Sequence, residues 1–171
     1  MTGIRFAAWD ERGPALLNAM NTPEQKFHLG GPEPEQKLLD RNARYLTYHR
    51  PGETEMLMID VAGEIVGSIG YWEIERIGEP AYETGWELLI PHQGKGIGSA
   101  AARALMARLK PLARHRHVFA FPTPENRGSN GICRSLGFDL IAVEQGEYPK
   151  GVFSPHNIWR LDLSAWSPPA A

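Results

Sequence analysis

The sequence predicts an α/β (α+β) domain with a mixed, mostly antiparallel sheet of six to seven strands and about four flanking helices. Three observations support this prediction. Residues 82–110 have the pattern of a strand, a glycine-rich turn and a helix in immediate succession. The apolar segments 54–61 and 64–75 flank Ala62-Gly63, which is a hairpin signal. Further helix and strand patterns alternate after residue 110, as in layered α/β proteins.

The first half of the chain alternates apolar segments with segments rich in glycine and proline. A short apolar run predicts the first strand over residues 4–9. A helix is predicted over residues 12–20, where Leu16, Leu17 and Met20 recur at helical spacing. A loop rich in glycine and proline is predicted over residues 21–36, and an amphipathic helix over residues 35–49, where a Pro-Gly pair ends it. The two hairpin strands follow over residues 54–61 and 64–75.

The second half begins with the strand and the helix on either side of the glycine turn. The strand is predicted over residues 82–90 and the helix over residues 99–109, which is rich in alanine and ended by Pro111. A strand is predicted over residues 117–121 and a helix over residues 126–136, which Gly137 caps. Two further strands follow over residues 138–144 and 157–163. Residues 146–155 contain glycine and proline and are predicted to be a loop.

Length and composition indicate one globular domain. We assign this domain to residues 1–166 and a flexible tail to residues 167–171. Hydrophobic residues make up 42% of the chain and the formal net charge is −2, so a general attraction to nucleic acid or to a membrane is not expected. The single cysteine, Cys133, fits a reducing compartment. Because the sequence has no signal peptide and no apolar run near the length of about 20 residues that spans a bilayer, we expect a cytoplasmic protein.

The glycine turn is predicted to bind an anion, most naturally a phosphate. Gly94, Gly96 and Gly98 let backbone N–H groups approach a ligand, and the helix that follows adds free donors and a positive dipole end. The turn is not a P-loop, because Lys95 is followed by glycine rather than by serine or threonine. It is not a dinucleotide fingerprint either, because Gly98 comes one position too early.

The turn resembles the acyl-CoA pyrophosphate loop of the GNAT superfamily of N-acetyltransferases, whose pattern is Gln/Arg-x-x-Gly-x-Gly/Ala. Gln93, Gly96 and Gly98 match that pattern. A second family element is matched by Asn126, Ser129 and the Gly-Phe pair at 137–138. The early helices and the loop at 21–36 resemble the branch of ribosomal-protein N-terminal and small-amine acetyltransferases.

This resemblance implies a sheet that splays open between the strands at 82–90 and 117–121, with acyl-CoA in the opening. Asn126 would bind the pantetheine arm, cap the following helix, or do both. The backbone of the strand end would pair with pantetheine, and the turn would hold the pyrophosphate. The implied coenzyme-binding residues are Leu88, Leu89, Ile90, Gln93, Gly94, Lys95, Gly96, Ile97, Gly98, Ser99, Asn126, Ser129 and Cys133. No metal is expected, since His115 and His117 have no third ligand near them.

Two carboxylates are candidates for the general base. A lysine-like amine costs about 4 kcal/mol to deprotonate at neutral pH, so a base would help. Glu83 and Glu87 are four residues apart and share one strand face, unless the bulge that the resemblance implies breaks the alternation. The resemblance favours Glu83, and either carboxylate can instead be a solvated or paired strand residue. The backbone N–H of Leu89 is the predicted oxyanion donor.

The proton source for the departing thiolate is open. Many GNAT enzymes place tyrosine seven residues after the asparagine, where this chain has Cys133. Cys133 can act as an acid or be a small core residue. Ser129 and Tyr148 are the alternatives. Trp86 and His92 are candidates for lining the site.

Three functional hypotheses follow. The first is an acetyl-CoA-dependent N-acetyltransferase that acts by direct attack in a ternary complex on a primary amine, in a small molecule or at a peptide or protein N-terminus. The acceptor pocket would be built from residues 12–49 and 146–155, and the resembling branch implies a homodimer. The second is a CoA-binding sensor without turnover. The basic run at 103–117 is either a solvated helix end or partly phosphate-facing. Nucleic-acid binding through this run is a third functional hypothesis.

Overall fold

The computed structural model describes residues 3–168, which form one eight-stranded sheet with four α-helices. The strands are β1 (Ile4–Ala8), β2 (His49–Arg50), β3 (Thr54–Val61), β4 (Glu64–Arg76), β5 (Glu79–Leu88), β6 (His117–Ala120), β7 (Asp139–Glu147) and β8 (Phe153–Asp162). The α-helices are α1 (Gly13–Met20), α2 (Glu35–Tyr45), α3 (Ile97–Leu109) and α4 (Arg127–Leu136). Short 3₁₀ helices cover Phe27–Leu29, Ile90–His92 and Lys110–Leu112.

The predicted mixed, mostly antiparallel sheet is confirmed. The strand order is β1-β3-β4-β5-β6-β8-β7, with β2 paired to β3 outside this path, and only β5 and β6 pair in parallel. All seven predicted strands are present, and the two-residue β2 is an addition. The division into a domain at 1–166 and a tail at 167–171 stays a prediction, and residues 169–171 lie outside the described part of the chain.

Most predicted elements differ from the observed ones by a few residues at their ends, as for β5 and α3. Two differences are larger. The second helix ends at Tyr45 rather than near residue 49, because His49 and Arg50 pair with β3. The predicted loop at 146–155 is largely a β-hairpin, in which β7 and β8 remain paired as far as Glu147↔Phe153. On the β6 side, the backbone of β8 is bonded as far as Asn157, whose N–H donates to the carbonyl of Pro122 at 2.8 Å. Pro155 lies beyond this point, where the strand needs no N–H donor on that side.

The sheet is covered on both faces by helices with apolar stripes. On one face, the small and apolar residues of α3 pack against β4 and β5. Fully buried members of this core include Ile59, Val66, Ile69, Ala101, Leu105 and Leu109. On the other face, α1 covers a second core of Trp9, Leu16, Leu17, Met20, Met56 and Met58. None of the helices within residues 3–168 is long and apolar enough to cross a bilayer.

The sheet opens between β5 and β6, as the family resemblance implied. These strands pair only at Tyr82↔Val118 and Glu83↔Phe119, although β5 continues to Leu88. On its other side β5 pairs with β4 along its full length without a register shift, so the implied bulge is absent from this pairing. Beyond Glu83, the β6-facing edge of β5 therefore borders an opening in the sheet.

Candidate active site

The glycine turn has the backbone geometry that a phosphate-binding loop needs. Gly94 and Gly96 have φ angles of 70° and 78°, in the left-handed region that favours glycine. A Cβ atom at either position would meet no atom within 4 Å, so both face open space. Gly98 has a different role, because a Cβ there would lie 2.7 Å from Cδ1 of Ile132. It allows α3 to pack closely against α4.

The first turn of α3 points free donors toward this open space. Gly96 precedes the helix, no side chain caps its N-terminus, and its first turn contains no acidic residue. The first N–H groups of a helix lack intrahelical partners, and they bind anions readily. Lys95 is exposed beside them. An anion at this position would meet both backbone donors and a nearby cation.

The end of β5 presents backbone groups to the opening. The N–H of Leu89 donates to the carbonyl of Val66 at 2.9 Å, so the predicted oxyanion donor is already used by the sheet. Because N–H directions alternate along an antiparallel strand, those of Trp86 and Leu88 point away from β4. The strand ends at Leu88, and Ile90 begins a 3₁₀ helix.

Two glutamine side chains donate hydrogen bonds to the carbonyl oxygen of Leu88. The Nε2 atoms of Gln25 and Gln93 donate to this oxygen at 2.6 and 2.9 Å. A carbonyl oxygen has two lone pairs, so both are engaged. Gln93, a predicted coenzyme ligand, therefore folds back onto the strand end in this structure.

The start of α4 lies opposite the end of β5. Asn126 is its N-cap, since Oδ1 accepts from the N–H of Ser129 at 3.0 Å. The Nε1 of Trp86 donates to the Oγ of Ser129 at 3.3 Å and joins the two sides of the opening. The hydroxyl hydrogen of Ser129 remains free to be donated, because its oxygen acts as the acceptor in that bond.

Cys133 does not lie with these groups. Its side chain is 0% exposed in the main core, and burial raises the pKa of its thiol to about 12. The thiol is thus placed as a small core residue, which was the alternative left open by the sequence. Asn130, which the sequence reasoning missed, is a buried hub whose Oδ1 accepts from Asn157 and from the indole of Trp159, both at 2.7 Å.

A cleft of about 700 Å³ lies between the sheet, α2 and the β7–β8 hairpin. We call it the acceptor cleft. Residues from both segments expected to form an acceptor pocket line it, together with residues of β4 and β5. Those that the sequence reasoning did not single out include Lys26, Arg41, Arg44, Tyr45, Tyr48, Trp72 and Arg76.

The two candidate carboxylates both line the acceptor cleft, but their surroundings differ. Burial raises the pKa of Glu83, and a hydrogen bond of 3.2 Å from Nε1 of Trp72 partly offsets that effect. Glu87 is neutralised by Lys26, whose Nζ lies 2.7 Å from its Oε2 and whose side chain is 2% exposed. Within residues 3–168, Glu83 has no ion-pair partner. Of the two candidates, Glu83 is therefore the carboxylate that no cation neutralises.

Comparison with known proteins identifies the family. A profile described as "Acetyltransferase (GNAT) domain" matches residues 4–139. The chain belongs to the GNAT acetyltransferase family. It is 30% identical over 112 residues to a ribosomal-protein-serine acetyltransferase of Escherichia coli, a match that covers 65% of this chain and 62% of that protein. The match thus spans less than two thirds of this curated relative, which belongs to the branch that the sequence resembled.

Solved structures share the GNAT fold over nearly the whole chain. A RimL ribosomal-protein N-acetyltransferase in complex with coenzyme A has a TM-score of 0.79 and 23% identity, covering 96% of this chain and 97% of that one. An acetyltransferase from Salmonella typhimurium that modifies the N-terminal serine of a ribosomal protein has a TM-score of 0.78 and 24% identity, covering 95% and 96%. A microcin self-immunity acetyltransferase in complex with acetyl-CoA and AMP has a TM-score of 0.75 and 19% identity, covering 93% and 92%.

The other residues considered for the site of this GNAT chain, Tyr148, His92 and His115, contact different side chains. Tyr148 lines the acceptor cleft from the hairpin tip, and its hydroxyl lies 3.4 Å from Nη2 of Arg41. His92 instead lies 3.3 Å from a carboxylate oxygen of Glu64, and His115 lies 2.8 Å from Glu73. No group of three or more histidine, cysteine, aspartate or glutamate side chains that could hold a metal occurs in residues 3–168.

Most cations of the basic run at 103–117 form ion pairs or hydrogen bonds within the chain. Arg108, Arg114 and Arg116 pair with Glu55, Glu53 and Asp162 respectively, with N···O distances of 2.6 to 2.7 Å. The ammonium group of Lys110 donates to the carbonyls of Ser164 and Trp166. These contacts fasten the C-terminal end of α3 and the segment after it to neighbouring elements.

Proposed function

We propose that this chain is an acetyl-CoA-dependent N-acetyltransferase that transfers acetyl to a primary amine by direct attack in a ternary complex. The proposal rests on one observation above all: the opening beside β5 has a glycine turn with left-handed glycines at one end and, at the other, the acceptor cleft with a half-buried carboxylate that has no ion-pair partner. Membership of the GNAT family supports it. The acceptor is a small-molecule amine or a peptide or protein N-terminus, and the reaction takes place in the cytoplasm.

On the donor side, acyl-CoA lies in the opening between β5 and β6. Its pyrophosphate accepts from the N–H groups of residues 94–99, and Lys95 adds a positive charge. Its pantetheine amides pair with the free backbone groups at the end of β5. Because both lone pairs of the Leu88 carbonyl are engaged in the free chain, binding displaces at least one glutamine amide from that oxygen.

On the acceptor side, Glu83 takes the proton of the attacking ammonium group, directly or through one water. The amine nitrogen then bonds to the thioester carbon, and the N–H groups of Trp86 or Leu88 stabilise the oxyanion. When the intermediate collapses, the C–S bond breaks and the nitrogen releases its second proton, which passes directly or through water to the group that protonates the departing thiolate and so restores that group. The thiolate takes its proton from that group. We assign that proton to the hydroxyl of Ser129, and Tyr148 is the alternative donor on the opposite wall.

Replacing Ser129 by alanine is expected to lower kcat on the order of tenfold or more, because the thiolate loses its proton donor. The affinity for acetyl-CoA should change little, since alanine keeps the backbone N–H that binds Asn126. Steady-state kinetics and calorimetric titration of CoA measure the two effects. The matched control is Ser164→Ala after β8, whose hydroxyl donates to Asp162 and which lines neither the cleft nor the glycine turn. An unchanged kcat in Ser129→Ala would contradict this assignment and indicate that Tyr148 or water protonates the thiolate.

The second candidate function is a CoA-binding module without turnover. Cys133 favours it, because the residue that stands where many GNAT enzymes have tyrosine is buried here. Incubation with acetyl-CoA and a panel of amines, followed by measurement of free thiol and acetylated product, separates the two functions. Amine-dependent thiol release supports the transferase, and tight CoA binding with no transfer to any amine supports the module.

We also propose that the chain forms a homodimer through β7. Within the described residues this edge strand pairs only with β8, and unpaired strand edges readily bind another strand. Val143 is 58% exposed on it, and Phe153, on the adjacent end of β8, is 68% exposed. We expect light scattering to give a dimer mass for the wild type and a monomer mass for Val143→Asp. A wild-type monomer at high micromolar concentration would contradict this proposal.

A further inference from the structure

A second, smaller cavity extends the acceptor cleft outward between α2 and the hairpin tip. We call this cavity, of about 310 Å³, the outer groove. Arg41, Arg44 and Tyr148 line both the cleft and the groove, so the two are continuous. Lys37, Asp40, Arg41 and Arg44 follow one another at spacings of three, one and three residues, which places them on one side of α2. Lys150 faces them from the hairpin tip.

The outer groove carries an excess of positive charge. Its lining includes four cations, Lys37, Arg41, Arg44 and Lys150, and two acids, Glu33 and Asp40. Arg41 and Glu33 neutralise each other through contacts of 2.6 and 2.7 Å. Among residues 3–168, the other three cations have no carboxylate within 4.0 Å. The groove thus keeps cations that no carboxylate of the described chain neutralises.

Arg44 lies where the cleft and the groove meet. It is exposed, and its guanidinium lies 5.7 Å from the ring centroid of Tyr45. In the cleft itself, Lys26 and Arg76 are paired with Glu87 and Glu144. Arg44 is therefore the cation that an acceptor bound at Glu83 can reach without breaking an existing ion pair.

The cleft and groove together suit an acceptor whose amine and anionic groups are separated along a chain. Glu83 attracts the ammonium group at the inner end, and Arg44, followed by Lys37 and Lys150, attracts negative charge further out. Lys37, Arg44 and Lys150 are exposed, so a chain can continue from the groove into solvent. A small amine held entirely within the cleft would leave the outer cations without a role.

We infer that the acceptor is a peptide N-terminus followed within its first few residues by acidic side chains, which Arg44 and its neighbours bind. This inference rests on the proposed acetyl transfer and names the acceptor class for the same site. Arginine is suited to the task, because its planar guanidinium can bond a carboxylate through two N–H groups.

The test compares three tetrapeptides that share an N-terminal alanine and have glutamate, glutamine or lysine at the next three positions. We expect kcat/KM to be at least about tenfold higher for the glutamate peptide than for the lysine peptide. Arg44→Glu should lower kcat/KM for the glutamate peptide about tenfold and raise it for the lysine peptide. The matched control is Arg5→Glu, which changes an exposed cation on β1 outside both cavities.

The outcomes separate this inference from the proposed function. Equal rates for the three peptides, or an unchanged preference in Arg44→Glu, would overturn the inference and leave the transferase proposal standing. Acetylation confined to small amines would do the same. If acetyl-CoA is bound but no peptide or amine is acetylated, the transferase proposal itself fails. CoA affinity, measured by calorimetry in each variant, shows whether the donor side is intact.

Discussion

Replacing Gly96 by valine is expected to lower the affinity for acetyl-CoA by at least about a hundredfold while the chain remains folded. Gly96 has a φ of 78°, which costs a residue with a Cβ about 1–2 kcal/mol and a β-branched residue more. The valine side chain would also project into the open space in front of the first turn of α3, where the pyrophosphate is proposed to bind. Calorimetric titration of CoA measures the loss, and circular dichroism reports the fold.

Gly78→Val is the matched control for this substitution. Gly78 has a φ of 74° and, like Gly96, has no atom within 4 Å of the position that a Cβ would take. It lies in the turn between β4 and β5 and is not part of the glycine turn. Both variants should lose comparable stability, but only Gly96→Val should lose CoA affinity. Normal affinity in Gly96→Val would refute the assignment of the loop.

The second large effect is expected at Glu83. Replacing it by glutamine should lower kcat/KM by about 10² to 10⁴ near neutral pH, because the ammonium group of the acceptor loses its general base. The loss should shrink at alkaline pH, where the acceptor amine is increasingly deprotonated in solution. It should also shrink below the raised pKa of Glu83, since the wild-type carboxyl is then protonated and inactive. Profiles of kcat/KM against pH for both proteins measure these changes.

The same substitution should make the protein more stable above the pKa of Glu83. Burial raises this pKa, so the folded state holds the proton more tightly than the unfolded state does. The stabilising contribution of the protonated form is present below the unfolded pKa and is lost as pH rises through the folded pKa. Glutamine, which carries no charge, avoids that loss. Chemical denaturation at neutral pH should therefore show a higher free energy of unfolding for Glu83→Gln than for the wild type.

Glu87→Gln is expected to have the opposite effect on stability from Glu83→Gln. It leaves the ammonium group of Lys26 buried without its carboxylate, so it should reduce stability. A loss of kcat/KM in Glu87→Gln without loss of stability, together with an active Glu83→Gln enzyme, would exchange the roles of the two residues.

The strand, the glycine turn and the helix proposed to bind the donor could be predicted from sequence because their determinants are local. A strand, a glycine turn and a helix follow one another within residues 82–110, and left-handed glycines at a helix start have few other uses. The opening of the sheet followed from the family resemblance, and the β3–β4 hairpin followed from the turn signal at Ala62-Gly63. The N-cap role of Asn126 could also be anticipated, because capping depends on residues three apart.

The acceptor side could not be predicted in the same way, because its contacts join distant parts of the chain. Lys26 and Glu87 are separated by 61 positions, and nothing in the sequence near Glu87 indicates that its charge is neutralised. Similarly, Arg44 lies in a helix assigned from its apolar stripe, and only the folded hairpin places Lys150 opposite it. Burial of Cys133 depends on how α4 packs against the sheet, which the spacing from Asn126 does not define.

A crystal structure of the chain with bound CoA tests the central claim most directly. The account predicts that the pyrophosphate accepts from the N–H groups of residues 94–99 and that the sulfur lies in the opening between β5 and β6. It also predicts that the sulfur is within hydrogen-bond reach of the Oγ of Ser129, on the side that leads to Glu83. CoA bound elsewhere, or a sulfur turned away from the acceptor cleft, would contradict the account.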